Sequence, residues 1–506
     1  MKKTLSIILD AHFPYLKDSG NYTPLFACLQ ETYIPFLQML ENLDFDRVPY
    51  RIAIALSPIF CEMMDDDTII DAFRTFTEKQ LVFSENELQR EDYSSEQKEL
   101  AALYLERWKN QQYFFQGHFE GRLLKAFDYF QKQGSLEILC GPATYCFLPF
   151  LKDYPDAVRA QIETSLHFYR KVFGLHPQGF WLPEMAWDPF LDPIIHSYGF
   201  TWTAVDTHAA ALGEPPSFDT SQSLQTPSRN IVLVRNSSLA NFPKDFRQHP
   251  CFRDNMRDAG FELDIKKLSA FGMGDARKRT GLKYWSREAE DGILLYNHGK
   301  AYEEAEVAAA SFVNQIQEGA DDFVLCCWRT EDFGLRWFEG FHFLEKVFQL
   351  IDNSESLDVE TPSEYVQHSK PKVQCQPSFS SWGENGYAEP WLDSSNDWIY
   401  RHVFHILQEM IEMPERFPHD RGIKERALNQ AAREMLLALS SDWPYMMYKQ
   451  TNADYAKNSL EDIIKNFTTI FESLGSGHIS TEWLTNLEKQ HNFFSQINYR
   501  MFGKKK

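Results

Sequence analysis

The segment Gly179–Pro189 (GFWLPEMAWDP) places a carboxylate among aromatic rings. A short apolar run ends at Pro183, and Glu184 follows it directly, with Trp181 and Trp187 on either side. Cleavage of a glycosidic bond needs a carboxylate close to an oxocarbenium-like centre, and aromatic faces can hold a sugar ring. These residue types indicate that Glu184 is a candidate catalytic carboxylate. The alternative interpretation is that Glu184 forms a structural salt bridge.

Other polar residues that could do chemistry also follow predicted strands directly. They are Asp10 and His12, Asp206, and Arg329. In a parallel barrel the loops that follow the strands converge at one end, and the chemistry takes place there. Any chain turns polar where a strand leaves the core, so one such residue means little. Several of them together indicate a site.

Short β-prone runs alternate with helical patterns along the first 370 residues, which is typical of a parallel α/β fold. The predicted strands are Leu5–Leu9, Arg51–Leu56, Leu136–Cys140, Gly179–Leu182, Phe200–Val205, Ile231–Val234, Gly292–Tyr296 and Asp322–Trp328. Apolar residues at helical spacing predict helices at Glu31–Leu43, Glu96–Gln133, Asp156–Phe173, Glu303–Gln317 and Glu339–Ile351.

The pattern changes after Pro371, where only helices are predicted. These helices are Asn396–Met413, Ile423–Ser440, Asp454–Phe471 and Thr481–Phe494. We therefore expect a first domain over residues 1–370 and a C-terminal helical domain over 378–500. Within the first domain we expect two insertions, a helical one at about 60–115 and an irregular one at about 213–280.

The composition excludes several classes of protein. The 506 residues carry a formal net charge of −21, which argues against nonspecific binding to nucleic acid or to an anionic membrane. The longest apolar runs, such as Phe323–Trp328, are far shorter than the ~20 residues that cross a bilayer. Asp10 and His12 come too early for the apolar core of a signal peptide. We expect a cytoplasmic protein whose eight cysteines are reduced and mostly buried.

One predicted helix carries residue types that bind metal ions. His402 and His405 are three residues apart, and Glu409 lies one turn further, so the three side chains could share a metal ion. The same spacing is common on ordinary helices, and we interpret it as helix packing. The sequence contains no nucleophile elbow and no phosphate-cradling glycine loop.

A set of motifs stands in one colinear order along the chain. The motifs are Ala11–Tyr15, Glu31–Pro35, Leu136–Pro149, Trp181–Glu184, Val205–Ala209, Phe333–Gly340, Ser381–Gly386 with Trp391-Leu392, Ala427–Glu434 and Ser440–Pro444. In this order they resemble glycoside hydrolase family 57, most closely its 1,4-α-glucan branching enzymes. Each motif alone is moderately specific, whereas their order is highly specific. The resemblance covers almost the whole chain.

The resemblance implies a distorted (β/α)7 barrel with a small inserted domain and a C-terminal all-helical domain. It implies a retaining transfer of glucan chains from α-1,4 to α-1,6 linkage, with an α-glucan such as amylose or glycogen as the partner and with no metal or organic cofactor. Glu184 takes the place of the nucleophile. The residues that the resemblance assigns to substrate binding are His12, Tyr145, Trp181, Asp206, Trp337, Trp382 and Trp391.

The sequence departs from the family pattern at the position of the acid/base aspartate. The fourth motif, which that aspartate opens, here reads RTEDFGLRW and begins with Arg329. Arginine is always protonated and cannot act as a general acid, and beside Glu184 it would pair with that carboxylate. Tyr145, Asp10 and Leu335 stand where the family has histidines, so several departures fall on one predicted pocket.

Retaining catalysis needs two carboxyl groups about 5–5.5 Å apart. Asp10, Glu331 and Asp332 are the candidates for a replacement acid. Asp10 is the best placed, because it follows a strand whose end should face the same pocket. Asp332 is the second choice.

Three hypotheses follow. The first is a branching enzyme or related glucanotransferase with a rearranged acid. The second is a catalytically inactive homologue that binds glucan or regulates, and Arg329 and Tyr145 favour it. The third is a structural partner whose pocket has closed, which the retained Glu184, Trp382 and Trp391 oppose. A deacetylase on a similar barrel would need a metal-binding set of aspartates and histidines that the sequence lacks.

Overall fold

The computed structural model of the protein describes residues 2–219, 221, 223–266, 268, 277–287, 292–371 and 373–504. The strands in these residues are β1 Lys3–Ala11, β2 Ile52–Leu56, β3 Leu136–Leu139, β4 Gly179–Phe180, β5 Trp202–Val205, β6 Leu224–Gln225, β7 Ile231–Val234, β8 Phe323–Arg329, β9 Leu357–Val359 and β10 Val373–Gln374.

The α-helices of the first 370 residues are α1 Thr23–Cys28, α2 Ile34–Asp46, α3 Pro58–Met64, α4 Asp67–Leu88, α5 Ser95–Gln112, α6 Leu123–Gln133, α7 Pro155–Phe173, α8 Leu191–Ser197, α9 Thr207–Ala211, α10 Phe242–Phe246, α11 Ala259–Glu262, α12 His298–Glu318, α13 Gly340–Asp352 and α14 Pro362–His368. Those that follow are α15 Trp398–Arg416, α16 Ile423–Ala438, α17 Asp442–Tyr448, α18 Ala453–Ser476 and α19 Thr481–Gln490.

Seven parallel strands form a distorted barrel. One sheet has the order β3-β2-β1-β8, and the other contains β4, β5 and β7 side by side. An isolated parallel bridge between Cys140 and Phe180 joins β3 to β4. On the other side, the amide of Asn236, just after β7, donates to the carbonyl of Leu325 in β8 at 2.9 Å. The predicted (β/α)7 arrangement is therefore confirmed.

The central strands β1 and β8 are apolar almost throughout because helices cover one side and the barrel interior the other. Seven of the nine residues of β1 and six of the seven residues of β8 are buried. Near-continuous apolar runs of this kind are typical of parallel strands that are buried on both faces. The two strands pair in register from Thr4 opposite Phe323 to Asp10 opposite Arg329. This register brings Asp10 and Arg329 together at the C-terminal ends of the strands.

One predicted strand, Gly292–Tyr296, is wrong. The segment makes an isolated antiparallel bridge from Leu295 to Trp285 and does not join the barrel. Its apolar residues Ile293 and Leu294 are 45% and 56% exposed, so they do not belong to the core that the apolar run suggested. The segment follows the region that we predicted to be irregular, 213–280, within which residues 220, 222, 267 and 269–276 lie outside the described residues.

The helices after residue 397 pack against the mouth of the barrel. The hydroxyl of Thr144, in the loop after β3, donates to the carbonyl of Leu436 in α16 at 2.5 Å. The hydroxyl of Ser441, just before α17, donates to the carbonyl of Tyr145 at 2.6 Å. The C-terminal helices thus contact the loops that follow the barrel strands. No helix of the described residues is long and apolar enough to span a bilayer.

Candidate active site

Glu184 lies in a strained turn directly after β4. It is only 3% exposed and belongs to the short 3₁₀ turn Pro183–Met185. Glu184 and Met185 have φ angles of +59° and +49°, in the left-handed region that residues with a Cβ rarely adopt. Such a conformation costs on the order of 1–3 kcal/mol per residue and persists where the surrounding structure enforces it, often at functional sites.

The carboxylate of Glu184 is held by two donors on the same oxygen. The guanidinium of Arg329 donates to Oε2 at 2.5 Å, and the indole Nε1 of Trp382 donates to the same oxygen at 2.5 Å. The backbone amide of Trp382 also donates to the carbonyl of Glu184 at 2.9 Å. Glu184 is therefore anchored to β8 and to the loop that contains Trp382.

Arg329 ends β8, and its guanidinium lies between Glu184 and two aromatic rings. Its Cζ is 5.5 Å from the ring centroid of Trp382 and 5.8 Å from that of Tyr445. Burial lowers the pKa of Arg329, but Glu184 and the other acidic groups nearby outweigh burial and raise it well above its usual value. Arg329 is thus a permanent cation beside the candidate nucleophile.

Asp10 is buried next to this ion pair. The hydroxyl of Tyr145 donates to its Oδ2, whereas its Oδ1 has no hydrogen-bond partner among the described residues. Burial raises the pKa of Asp10 to about 7, although Tyr145 and Arg329 act in the opposite direction; the charge of Glu184 adds to the increase. The raised pKa favours the protonated form of Asp10 more than in a carboxyl exposed to water.

His12 connects the barrel to helix α17. Its Nε2 is 2.9 Å from Oδ1 of Asp442, and its Nδ1 is 2.9 Å from the hydroxyl of Ser57. The ring of Tyr145 stacks on His12 with centroids 3.7 Å apart and planes within 2° of parallel. The imidazole is therefore fixed on both nitrogens and on one face, and through Tyr145 it is linked to Asp10.

A cavity of about 310 Å³ opens in front of Glu184 and Arg329. Trp382, Trp391 and Tyr445 supply aromatic surface to its wall. The charged residues that line it are Glu184, Asp332 and Glu384 and the five bases Arg235, Lys244, Arg329, Arg336 and Lys449. Such a cavity offers aromatic faces and charged groups together to a ligand. Asp10 does not line it; this side chain lines a much smaller void of about 10 Å³ together with Tyr145 and Trp181.

The other residues predicted from the sequence lie at different distances from this cavity. Trp181 packs edge to face against Trp382 with centroids 5.7 Å apart, so it supports a cavity residue from behind. Asp206 pairs with Arg235 at 2.6 Å and thereby orients a cavity base. Trp337 does not reach the cavity: it is 1% exposed and packs in the core. Its ring partners there are Phe252, Phe333 and Phe343.

The two further candidates for a replacement acid have other partners. Asp332 lines the cavity but accepts from Arg247 at 2.9 Å and from Arg336 at 3.1 Å. Both arginines donate to Oδ1, so the Asp332 carboxylate is already engaged by two partners other than Glu184. Glu331 turns away and accepts from the hydroxyl of Tyr33. Neither residue contacts Glu184 in the way that Arg329 does.

Two stretches of the chain match known families. Residues 6–376 match glycosyl hydrolase family 57, and residues 402–502 match the C-terminal region of 1,4-alpha-glucan branching enzymes. The first match covers well over half of the chain.

The chain belongs to glycoside hydrolase family 57.

Members of this family are similar to the chain over its whole length. It is 24% identical to the 1,4-alpha-glucan branching enzyme TK1436 of Thermococcus kodakarensis, over 98% of this chain and 78% of that protein. The alpha-amylase AmyC from Thermotoga maritima is 27% identical, with a TM-score of 0.89 over 100% of both chains. A GH57-type branching enzyme from Pyrococcus horikoshii is 23% identical, with a TM-score of 0.89 over 100% of this chain and 98% of that one. The predicted family and fold are confirmed.

Several residues of the site were not predicted from the sequence. Tyr445 and Asp442 come from α17, and Lys244 comes from α10. Asp442 lies in a motif that resembles the family, but nothing in its spacing indicates that it meets His12, more than 400 residues earlier. Lys244 lies in the irregular region, where the sequence offers no periodicity to place it.

The described residues contain no cluster of three or more metal-ligating side chains that could hold a metal ion. On helix α15, His402 accepts from Arg401 at 3.2 Å, while His405 lies 3.7 Å from Glu409. His405 is 72% exposed. The histidines of this helix therefore have ordinary surface partners.

Proposed function

We propose that the protein binds α-glucan in the 310 Å³ cavity and that its branching activity is abolished or strongly reduced relative to its family. The observation that carries the proposal is the ion pair at 2.5 Å between Glu184 and Arg329. It is formed where the family's retaining chemistry requires a second carboxyl group.

The chemical argument concerns the proton. In a retaining reaction the second carboxyl protonates the leaving sugar and then deprotonates the acceptor hydroxyl, and such general acid–base help is typically worth about 10²–10⁴-fold. Arg329 cannot give up a proton at useful pH. Its hydrogen bond also occupies Oε2 of Glu184, the same oxygen that Trp382 contacts. Glu184 is thus restrained at one oxygen by two donors, Arg329 and Trp382, neither of which can act as a general acid.

The argument for glucan binding rests on the cavity walls. Trp382 and Tyr445 present rings on which sugar faces can stack, and Trp391, which is 1% exposed, supports this wall from behind. Trp391 is itself stacked on Phe147 with centroids 4.7 Å apart, and on Tyr445 with centroids 6.0 Å apart. A pre-formed cavity with aromatic walls and a few polar groups is the usual form of a small-molecule site. The named activities of TK1436 and of the enzyme from Pyrococcus horikoshii, both branching enzymes, support an α-glucan as the ligand.

A second candidate function is residual branching with Asp10 as the acid. It is favoured by the pKa of about 7, which suits a group that donates and accepts a proton near neutral pH. Asp10 is also the register neighbour of Arg329. Against it stands the burial of Asp10, which is 2% exposed and does not line the cavity.

The test is incubation of purified protein with amylose, followed by debranching and chain-length analysis of new α-1,6 branch points. We expect no branches from wild type or Glu184→Gln, while amylose retards both in an affinity gel. Arg329→Asp places a carboxyl beside Glu184, and we expect it to form branches at least about tenfold faster than wild type, since the restored acid is worth about 10²–10⁴-fold. Arg336→Asp, which changes another cavity arginine, is the matched control and should gain nothing.

Two outcomes would contradict the proposal. Branches formed by wild type but not by Asp10→Asn or Glu184→Gln would establish the second candidate, with Asp10 as the acid. Absence of both branches and retardation would leave only a structural role for the protein. A gain of branching by Arg329→Asp that Glu184→Gln abolishes in the double variant would identify Glu184 as a competent nucleophile.

We also propose that the protein acts in the cytoplasm. All eight cysteines are free, and all but Cys251 are buried. Persistent free thiols suit a reducing compartment. Cell fractionation followed by immunodetection would test this.

A further inference from the structure

The candidate cavity has the opposite sign of charge to the chain that surrounds it. The chain as a whole carries −21, yet five bases against three acids line this cavity. A cleft lined with one sign of charge and walled by apolar groups focuses the field and concentrates ligands of the opposite sign. A neutral glucan carries no net charge, so this field does not concentrate it.

Four of the five bases are already paired. Arg329 pairs with Glu184 at 2.5 Å, Arg235 with Asp206 at 2.6 Å, Arg336 with Asp332 at 3.1 Å, and Lys449 with Glu384 at 3.4 Å. These pairs hold the guanidinium groups in place around the cavity. None of these four pairs includes the fifth base, Lys244.

Lys244 has no carboxylate partner within ion-pair distance in the part of the chain that the structure describes. It lies on α10, lines the cavity, and is exposed at its mouth. Partial burial lowers its pKa, and the charges of Arg329, Arg235 and Arg247 lower it further, while Asp332 acts in the opposite direction. A cation that faces three arginines is repelled by them, and an anion bound among them would relieve that repulsion.

We propose that this cavity binds a glucose unit that carries a phosphate monoester, with Lys244 as the principal phosphate ligand. The inference rests on the proposed function, because the aromatic wall of Trp382, Trp391 and Tyr445 is taken to hold the sugar. The phosphate is argued from charge and from the number of acceptors: a monoester carries about −1.5 to −2 at pH 7 and three acceptor oxygens, so it can take Lys244 and the arginines beside it together, whereas a sugar carboxylate carries only −1. Charge-assisted hydrogen bonds from lysine and arginine to phosphate are among the stronger ones.

Isothermal titration calorimetry with the full chain tests the proposal. The probes are glucose 6-phosphate against glucose, and naturally phosphorylated amylopectin against the same polymer after phosphatase treatment. We expect each phosphorylated probe to bind at least about tenfold more tightly than its neutral counterpart, since a hydrogen bond to a charged group is typically worth that factor. We expect this advantage to shrink when the ionic strength is raised, because salt screens a charge at the mouth of the cavity.

Lys244→Gln should remove most of that advantage, and Lys244→Arg should keep it. Lys346→Gln, on the outer helix α13 where Lys346 pairs with Glu306 at 3.1 Å, is the matched control and should leave it unchanged. Maltoheptaose, a neutral glucan, reports the proposed function separately and confirms that each variant is folded. Its affinity should be unchanged in Lys346→Gln, and in the Lys244 variants it should change by less than the affinity for the phosphorylated probes.

The outcomes are distinguishable. Equal affinity for phosphorylated and neutral probes, with maltoheptaose still bound, overturns the phosphate site and leaves the proposed function intact. A phosphate advantage that survives in Lys244→Gln overturns the role of Lys244. Loss of maltoheptaose binding by wild type overturns the proposed function, and with it this inference. A stronger preference for glucose 6-phosphate identifies a free sugar phosphate as the source, and one for amylopectin identifies phosphate carried on the polymer.

Discussion

Arg329 gives the carboxylate of Glu184 a cationic partner. The left-handed turn at Glu184 and Met185 aims the carboxylate at the end of β8, where its partner is a guanidinium at 2.5 Å. A second carboxylate at that place would repel Glu184 and retain a proton, as retaining catalysis needs. A guanidinium attracts Glu184 and stabilises both charges. The proposed loss of branching activity therefore depends on this one side chain.

Asp10 makes the stability of the protein depend on pH. Its pKa is about 7 in the folded protein against a usual value of 3.8, so folding favours the protonated form. The stability that protonated Asp10 contributes is complete below about pH 4 and is lost as the pH rises through about 7. A shift of this size corresponds to an upper limit of about 4 kcal/mol.

We therefore expect Asp10→Asn to stabilise the protein by about 1–3 kcal/mol at pH 8, with a gain that shrinks towards pH 4.5, because asparagine cannot ionise. Urea denaturation of both proteins at the two pH values measures the effect. Asp46→Asn, which changes an exposed aspartate at the end of α2, should show little dependence on pH. A gain of equal size at both pH values would contradict the assignment of the raised pKa to Asp10.

At the scale of elements, the strands were predictable because burial on both faces leaves a strong apolar signal. The runs behind β1, β2 and β8 were found to within a few residues, and α7, predicted at Asp156–Phe173, is Pro155–Phe173. The same signal misled at Gly292–Tyr296, where Ile293 and Leu294 are exposed. An apolar run reports hydrophobicity, not burial, so a short one outside the regular alternation of strands and helices carries less information.

The site was predictable from residue types where a strand end supplies a residue, and from the family resemblance for Trp382 and Trp391. Asp10 and Arg329 lie at the C-terminal ends of β1 and β8, Glu184 follows β4, and the convergence of parallel strands brings the three together. Tyr445 and Asp442 lie on α17, more than 100 residues after β8, the last strand of the barrel. A contact between residues so far apart in the chain leaves no local sequence pattern. Trp337 shows the converse: its motif position suggested a substrate contact, while its packing places it in the core.

Helix α17 positions the site as well as covering it. Asp442 is the first residue of α17. Its two carboxylate oxygens lie 2.9 and 3.0 Å from Nε2 of His12, and both side chains are at most 11% exposed. We expect Asp442→Ala to destabilise the protein by about 1.5–3 kcal/mol, because it leaves a buried imidazole nitrogen without its partner. Asp462→Ala, at an exposed position of α18, is the control and should change stability by less than about 0.5 kcal/mol.

Unfolding of each variant by urea, monitored by tryptophan fluorescence, measures the effect. Equal stability of Asp442→Ala and wild type would mean that water replaces the carboxylate at His12 without loss, and that α17 is held by its apolar contacts alone.

At the scale of the whole molecule, the chain crosses repeatedly between the barrel and the C-terminal helices. The segment after α19 returns to the barrel side, where the amide of Phe494 donates to the carboxylate of Glu62 in α3 at 3.0 Å. Tyr15, just after β1, donates to the carbonyl of Gln490 at 3.2 Å. These contacts join the two ends of the chain. Buried apolar residues of the barrel and of the C-terminal helices also belong to one continuous core.

We therefore expect the protein to unfold as one unit. Because an interface that is large and apolar couples two regions, fluorescence and far-UV circular dichroism should follow one coincident transition in urea. A truncated chain of residues 1–376 should fail to fold, since Phe147 would lose its stacking partner Trp391 and Thr144 its acceptor Leu436. Removal of the last three lysines alone is the control and should leave the transition unchanged. Two separate transitions, with a folded 1–376 fragment, would show instead that the barrel is stable by itself and that the C-terminal helices are an attachment to it.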